Sequence, residues 1–312
     1  MNGQAHSMQE STPHPQQPGQ GAFGAKKTNV VVELLESIKF SHTIFALPFA
    51  LLALVLARRG GLPTVREALL IVLCMVGART WAMGVNRLAD AHIDAKNPRT
   101  SSRAVPAGRL SSVAMATFAG TGAVVFLGGA AALSPVALAC ALPVLLILAS
   151  YSWAKRLSFL CHFYLGFCLG LAPLGAWVAL RGEFPWRLLT LTFGIAFWVA
   201  GFDILYALQD EQFDRETGLH SVPAKFGTAP AIFVARASHL VSAVLFLTFG
   251  QLFELGVAYF AGLALAGVLM IWQHRLTRGG DLSRIGMAFF NLNGWISVLL
   301  FFSASLSLLA GF

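Results

Sequence analysis

Seven of the fourteen acidic residues of this 312-residue chain fall in two short windows of an otherwise apolar sequence. The first window opens Asn86-Arg87-Leu88-Ala89-Asp90-Ala91-His92-Ile93-Asp94 and runs on through a basic loop to Arg109. The second holds Asp203, Tyr206, Asp210, Glu211, Asp214 and Glu216 and ends near Lys225. Asn86, Asp90 and Asp94 recur every four residues; Asp203, Tyr206, Asp210 and Asp214 follow at steps of three, four and four. On a helix, each set projects from one face. Carboxylates stacked in this way repel one another unless a cation lies between them. Hard oxygen ligands at the end of a span suit Mg²⁺, which keeps several waters and completes its shell with phosphate oxygens. Arg99, Arg103, Lys155, Arg215 and Lys225 are available to hold those phosphates, the arginines in bidentate fashion. The combination points to a metal-bridged diphosphate. An acidic substrate alone would not need the aspartates, and a bare cation site would not need the arginines.

The two windows resemble each other. Asp90/Asp94 and Asp210/Asp214 are offset by 120 residues, and each motif leads to a Val-Pro-Ala, at 105–107 and 222–224. Internal duplication and similar chemical demands both account for this. His92 falls on a different helical face and reads as a bystander, while His220 and Ser221 read equally as mouth-lining or as solvated loop residues. Phe197, Trp198 and Phe202 read as packing. Cys74, Cys140, Cys161 and Cys168 form no CxxC pair and read as small apolar packing residues, without a metal or a disulfide.

The elements that carry these windows must be membrane helices. Hydrophobic residues make up 56% of the chain and charged residues 12%, about half the charged share of an ordinary soluble domain. Nine apolar runs are expected, at 40–57, 67–89, 111–133, 135–152, 158–180, 187–209, 229–250, 253–274 and 285–310, with kinks at Pro48, Pro143 and Pro173; the run at 135–152 is short for a span. The chain is therefore read as an all-α polytopic membrane protein of about nine transmembrane helices. Residues 1–29, rich in Gln, Gly, Pro, Ser and Thr, read as a disordered polar tail without signal-peptide character, and 30–312 as the transmembrane domain. The net charge of +8 sits in short loops and not on one basic face, which argues against nucleic-acid binding. Lys96, Arg99, Arg103, Arg109, Lys155, Arg156, Arg215 and Lys225 lie in alternate loops, so the positive-inside rule puts the N-terminus and both aspartate motifs in the cytoplasm and the C-terminus outside. No protein partner is evident beyond the lipid bilayer.

At these residues the sequence resembles the UbiA superfamily of membrane prenyltransferases, from about Val30 to the C-terminus. Asn86-x3-Asp90-x3-Asp94 is similar to the family's first aspartate motif and Asp203-x2-Tyr206-x3-Asp210-x3-Asp214 to the second. Tyr151-x3-Lys155 is similar to its Tyr-x3-Lys motif. The resemblance implies nine helices around a central cavity, an apolar tunnel for the prenyl tail, and Mg²⁺ held by Asn86, Asp90, Asp94, Asp210 and Asp214. It implies catalytic roles for Tyr151 and Lys155 beside those aspartates, diphosphate contacts from Asn86 and Arg87, and a substrate cavity bordered by Asp203 and Tyr206. The stretches IKFSHTIFALPFAL, NPRT, GLHSVPA and DLSRIGMAFFNLNG resemble bacterial 4-hydroxybenzoate polyprenyltransferase-like members, including a branch linked to menaquinone made through futalosine. The implied substrates are a prenyl diphosphate and a hydroxylated aromatic acid, 4-hydroxybenzoate or a dihydroxynaphthoate, in the inner membrane of a bacterium and in ubiquinone or menaquinone synthesis. Lys39 and Arg79 are candidates for the acceptor carboxylate. The chain departs from the usual Asn-Asp opening of the first motif: Asn86-Arg87 has one carboxylate fewer and one cation more.

Two other classes compete with this reading. A membrane carrier would use the aspartates as an ion relay, but a relay is distributed through the bilayer depth and these acids cluster at one face. A Mg²⁺-dependent phosphatidyltransferase would carry a single Asp-Gly…Gly-x3-Asp-x3-Asp run, which is absent.

Overall fold

The computed structural model describes residues 29–58, 62–276 and 285–310. Most of the polar N-terminal stretch, and the segment holding Arg278, Asp281 and Arg284, lie outside the described residues. All regular structure among the described residues is helical: α1 (Val30–Ser37), α2 (Leu47–Ala57), α3 (Val65–Ala89), α4 (Ala91–Asp94), α5 (Ser112–Leu133), α6 (Pro135–Leu157), α7 (Cys161–Arg181), α8 (Leu189–Ala207), α9 (Glu211–Thr217), α10 (Val222–Phe226), α11 (Thr228–Leu252), α12 (Val257–Leu276) and α13 (Ile285–Ala310).

Among the described residues, eight helices are long and apolar enough to cross a bilayer. The first apolar run is the exception to the expected nine. It breaks into a 3₁₀ stretch, Phe40–Phe45, and the 11-residue α2, which at about 1.5 Å per residue covers roughly half of the bilayer core. Pro48 explains the break: it sits in the first turn of α2, where its missing N–H costs nothing, and not in a kinked interior. Pro143 and Pro173 do lie inside helices, and α6 and α7 continue through both. The short 135–152 run extends to Leu157 as a full span, started by Ser134, whose side chain accepts from the Ala137 amide at 3.1 Å. A Thr64/Glu67 capping box starts α3 in the same way.

α2 is enclosed by its neighbours, with Phe49, Ala50 and Ala53 fully buried, and it packs with Trp198, Val199 and Ile195 of α8 in the central core. Small residues set the closest helix approaches. At Gly77 a Cβ would lie 2.7 Å from the Gly122 carbonyl oxygen of α5, and at Gly166 it would collide with the Ala196 backbone of α8. These tight pairs, α3 with α5 and α7 with α8, bound a cavity of about 500 Å³. One end of the cavity meets the C-terminal ends of α3, α6 and α8, and its walls run down past Val144, Ala141 and Ala137 of α6.

Candidate active site

Both aspartate motifs sit where a long helix breaks. α3 ends at Ala89, Asp90 occupies the turn with φ −93° and ψ 0°, and the one-turn α4 ends on Asp94. α8 ends at Ala207, a 3₁₀ turn runs to Asp210 with φ −106° and ψ 4°, and α9 carries Asp214. The expectation of one continuous helical face is corrected at both places. The chain bends at the central aspartate, in the same sparsely populated backbone region, which supports the internal similarity of the two windows.

Each of the four carboxylates is paired with a basic side chain. Arg156 Nη2 lies 3.0 Å from Asp90 Oδ1, and Arg103 Nη1 lies 2.6 Å from Asp94 Oδ2. Arg99 donates to both oxygens of Asp210, and Lys155 Nζ lies 2.7 Å from Asp214 Oδ1. The pairs cross-link the motifs: adjacent residues of α6, Lys155 and Arg156, reach to opposite ones. Further hydrogen bonds complete the set. The Asn86 amide donates to Asp90 at 2.8 Å, Asn97 to Asp210 at 3.0 Å and the Ser221 hydroxyl to Asp214 at 2.9 Å. Buried Arg87 donates from Nε to the Ser37 carbonyl and stands 4.0 Å from Asp94.

Electrostatics follow from enclosure. Burial pushes the Asp90 carboxyl above the ordinary range, against the pull of Arg156. Burial also works against the charge on Arg99, but the Asp210 contacts outweigh it and hold the guanidinium more firmly protonated. Lys39 is pushed down, first by desolvation and then by Arg87, Arg103 and Arg99. Seven Lys/Arg and five Asp side chains line the cavity, so it carries excess positive charge, as an anion site requires.

Among the predicted residues, Asn86, Arg87, Asp90, Asp94, Arg99, Arg103, Tyr151, Lys155, Asp203, Tyr206, Asp210 and Asp214 all line this cavity. Arg215 and Lys225 do not. Arg215 pairs with Glu211 at 2.7 Å one turn away, and the Lys225 ammonium sits 3.9 Å from the Phe159 ring centroid. Both point away because α9 and α10 turn their outer faces to the surface. Cys74, Cys161 and Cys168 are buried among the helices, as the packing reading expects, and all four cysteines also border the cavity. Trp198 is core as expected, whereas Phe202 faces the cavity. Lys39 and Arg79 line it too, with Arg79 Nη2 on the Lys39 carbonyl at 2.9 Å and its buried Nε without a partner.

Sequence reasoning missed Asn97, Arg156 and His162, and left Ser221 open between the mouth of the site and a solvated loop; it is buried against Asp214. Arg156, beside Lys155, was marked only as loop charge. His162 stood in an apolar run with no spacing relation to either motif, and it is bonded to Asp203 at 2.7 Å.

The donor set fits Mg²⁺. It is all oxygen, from four aspartates and an asparagine, yet no three acidic, His or Cys side chains among the described residues converge tightly enough to cage an ion unaided. A hard cation held by such oxygens completes its shell with waters and phosphate oxygens, which is the habit of Mg²⁺.

The 4-hydroxybenzoate octaprenyltransferase of Vibrio campbellii is 27% identical over 249 residues, covering 80% of this chain and 86% of that protein. The protein of the same name from Nitrosospira multiformis is 30% identical over 242 residues, covering 77% and 82%. Among solved structures, the apo UbiA homolog from Aeropyrum pernix K1 superposes with a TM-score of 0.77 at 32% identity, covering 84% of this chain and 96% of that one. A UbiA homolog from Archaeoglobus fulgidus bound to GPP and Mg²⁺ shares the fold, with a TM-score of 0.65 at 17% identity over 89% and 99% of the two chains. The UbiA prenyltransferase family profile matches residues 46–296; the chain is a multi-pass membrane prenyltransferase and belongs to the UbiA prenyltransferase family.

Proposed function

We propose that this enzyme transfers a polyprenyl group from a prenyl diphosphate to a hydroxylated aromatic acid, 4-hydroxybenzoate or a dihydroxynaphthoate, with Mg²⁺ as cofactor. The observation that carries the reading is the set of four carboxylate–cation pairs at the mouth of an apolar cavity. The relatives' names favour 4-hydroxybenzoate, and the branch-specific stretches of sequence favour the naphthoate.

Asn86, Asp90, Asp94, Asp210 and Asp214 would hold the ion. Bound there, it supplies charge neutralisation for the departing diphosphate. Before substrate arrives, Arg99, Arg103, Lys155 and Arg156 keep the four carboxylates from repelling one another. With ion and diphosphate bound, the acids would serve the ion and the bases the phosphate oxygens, so neither set would be left buried and uncompensated. Tyr151, one turn before Lys155 on α6, borders the leaving group. Leu148, Val144, Ala141 and Leu169 give the prenyl tail an apolar wall and keep water from the allylic cation. Arg79, with its unpartnered Nε, offers the acceptor carboxylate a counter-charge.

Purified enzyme in detergent should be given Mg²⁺, a long prenyl diphosphate and each acceptor in turn, with products read by mass. One acceptor should be prenylated, EDTA should stop the reaction and Mg²⁺ should restore it. Consumption of the donor with neither acceptor, but with a porphyrin or a glycerol phosphate, would overturn the aromatic-acid reading.

A further inference from the structure

α1 is eight residues long, about 12 Å, and too short to cross a bilayer. A helix of this length is marginal in water on its own, so it depends on what its faces pack against. The inner face packs on the protein. Leu34 lies against buried Ala104, Leu110 and Met115. Glu33, with 7% of its side chain exposed, accepts from Arg109 Nε at 2.8 Å. At the other end of the helix, the Ser37 carbonyl accepts from Arg87 Nε at 2.8 Å. The outer face is apolar and open. Val30, Val31, Val32 and Leu35 are 41–59% exposed, and none of them lines the cavity.

The level at which α1 sits determines what covers that face. Arg87 lies in the last turn of α3, which ends at Ala89, and Arg109 stands just before α5, which begins at Ser112. α1 is therefore held where one span leaves the apolar layer and the next enters it. The chain then turns at Lys39 and enters the core again with α2 at Leu47. A short helix at that depth, tethered to a span and apolar on its free side, lies in the lipid–water interface. Lys26 and Lys27 precede it in the sequence, a charge that an anionic leaflet attracts.

The inner face fastens a loop of the site. Arg109 also donates from Nη1 to the Ser102 carbonyl at 3.0 Å, and the next residue, Arg103, is paired with Asp94. Gly108, left-handed at φ 72°, folds the chain back. The Arg109 and Leu110 amides then both donate to the Ala104 carbonyl, at 2.9 and 3.0 Å. The loop that carries Arg99 and Arg103 thus returns to a point held on α1 by one ion pair.

We propose that α1 is an interfacial anchor, its outer face in the lipid, and that through Glu33–Arg109 it positions the loop presenting Arg99 and Arg103 to the diphosphate. The loop half of this rests on the diphosphate reading above. Neither Glu33 nor Arg109 lines the cavity, so both are positioning residues. Without the pair the loop is free to shift, and the loss falls on donor binding more than on the chemical step.

Placement is tested on the full chain, without its four cysteines, in phosphatidylcholine–phosphatidylglycerol vesicles. Single cysteines at Val31, Leu35 and the exposed Glu36 each carry a fluorophore. Lipids brominated high on the acyl chain should quench Val31→Cys and Leu35→Cys, and aqueous iodide should spare them. Glu36→Cys should behave in the opposite way. Quenching of Val31→Cys and Leu35→Cys by iodide would put the face in water, and shielding from both quenchers would put a protein on it. Either result overturns the anchor.

Coupling is read from kinetics. Glu33→Gln and Arg109→Gln should each raise the donor KM roughly fivefold, with kcat and the acceptor KM within about twofold of wild type. The reversed pair, Glu33→Arg with Arg109→Glu, should bring the donor KM back to within about twofold. Val31→Ser with Leu35→Ser, which leaves the ion pair in place, should raise the donor KM about threefold by loosening the anchor. A merely structural pair would lower Tm and leave the donor KM where it was. That result would overturn the coupling, as would a reversed pair no better than the single variants. Should Glu33→Gln fail to fold, the donor KM of Val31→Ser with Leu35→Ser decides. If wild type consumes no prenyl diphosphate, the functional reading has failed and the coupling falls with it, while the quenching result still decides the anchor.

Discussion

Arg99 donates from Nε and Nη2 to the two oxygens of Asp210, at 2.8 and 2.5 Å, across 111 residues of sequence. Its remaining nitrogen, Nη1, reaches the Tyr206 hydroxyl at 3.1 Å, and its guanidinium lies over the Tyr206 ring at 5.3 Å. Asn97, two residues earlier, donates to the same carboxylate and accepts from the Arg99 amide. The loop that follows the first motif is thereby pinned across the second. The two halves of the site are joined by side chains that the proposed function assigns to the substrate.

Replacing Arg99 by Lys keeps the charge and loses the fork. Arg99→Lys should lower kcat/KM for the donor at least tenfold and leave the acceptor KM within a factor of two. Unchanged donor kinetics would remove Arg99 from the diphosphate site.

Pairing of acid with base also predicts an asymmetry between binding and turnover. In Asp214→Asn, Lys155 loses its carboxylate partner and is free for phosphate. Inorganic pyrophosphate without Mg²⁺ should bind a few-fold more tightly to that variant than to wild type, by calorimetry, while turnover with Mg²⁺ falls at least a hundredfold. Asp90→Asn, Asp94→Asn and Asp210→Asn should lose turnover similarly. Near-normal turnover in any of the four would exclude that residue from the metal site.

Lys39 gives a pH dependence with a definite sign. Its backbone is left-handed at φ 48°, and its ammonium sits close to Arg87, Arg103 and Arg99, so desolvation and those charges lower its pKa. The folded value lies below the unfolded one, so the charged form is a cost to folding. That cost is present in full below the folded pKa and fades as pH rises toward the unfolded value. Lys39→Met should therefore raise Tm at pH 7, with the gain shrinking by pH 10. A gain of equal size at both pH values would mean that charge is not its cause.

Much of this was legible in the sequence because period and cost are physical constraints. Carboxylates four apart in an apolar chain needed a compensating cation, and twelve of the fourteen anticipated site residues do line one cavity. Apolar runs marked the spans, and eight appear as full helices among the described residues. The misses have causes that one-dimensional spacing cannot carry. The breaks at Asp90 and Asp210 are set by tertiary contacts from α6 and the 95–111 loop, which no local propensity encodes. Arg215 and Lys225 followed the second motif as Arg99 and Arg103 followed the first, but α9 and α10 turn them outward. His162 acquires its role from Asp203, 41 residues away.

Helix packing should be intolerant at the glycine crossings. A Cβ at Gly77 would stand 2.7 Å from both the Gly122 carbonyl oxygen and the Phe126 amide nitrogen, all backbone atoms that cannot rotate away. Gly77→Ala must push α3 from α5, at a cost of about 1–3 kcal/mol by analogy with overpacked cores. Gly120→Ala, on the same α5 but with open space around it, should leave Tm unchanged. Equal melting of the two variants would show that the crossing relaxes freely.

The last prediction concerns sidedness. Among the described residues, the mouth face carries Lys96, Arg99, Arg103, Arg109, Lys155 and Arg156, and the opposite end carries Arg58, Arg66, Arg181 and Arg187. The excess at the mouth predicts, under the positive-inside rule, that this face is cytoplasmic, the side from which a soluble aromatic acid and Mg²⁺ would enter. Ser102 and Glu216 are exposed there, and Glu183 is exposed at the other end. Single cysteines at these three positions, in a background lacking Cys74, Cys140, Cys161 and Cys168, should be probed with an impermeant thiol reagent on intact cells and on inverted vesicles. Ser102→Cys and Glu216→Cys should label only in inverted vesicles, and Glu183→Cys only in intact cells. A reversal of all three would invert the protein without disturbing the site. Labelling of Ser102→Cys and Glu216→Cys from opposite sides would separate the two motifs across the bilayer, which a shared cavity does not permit.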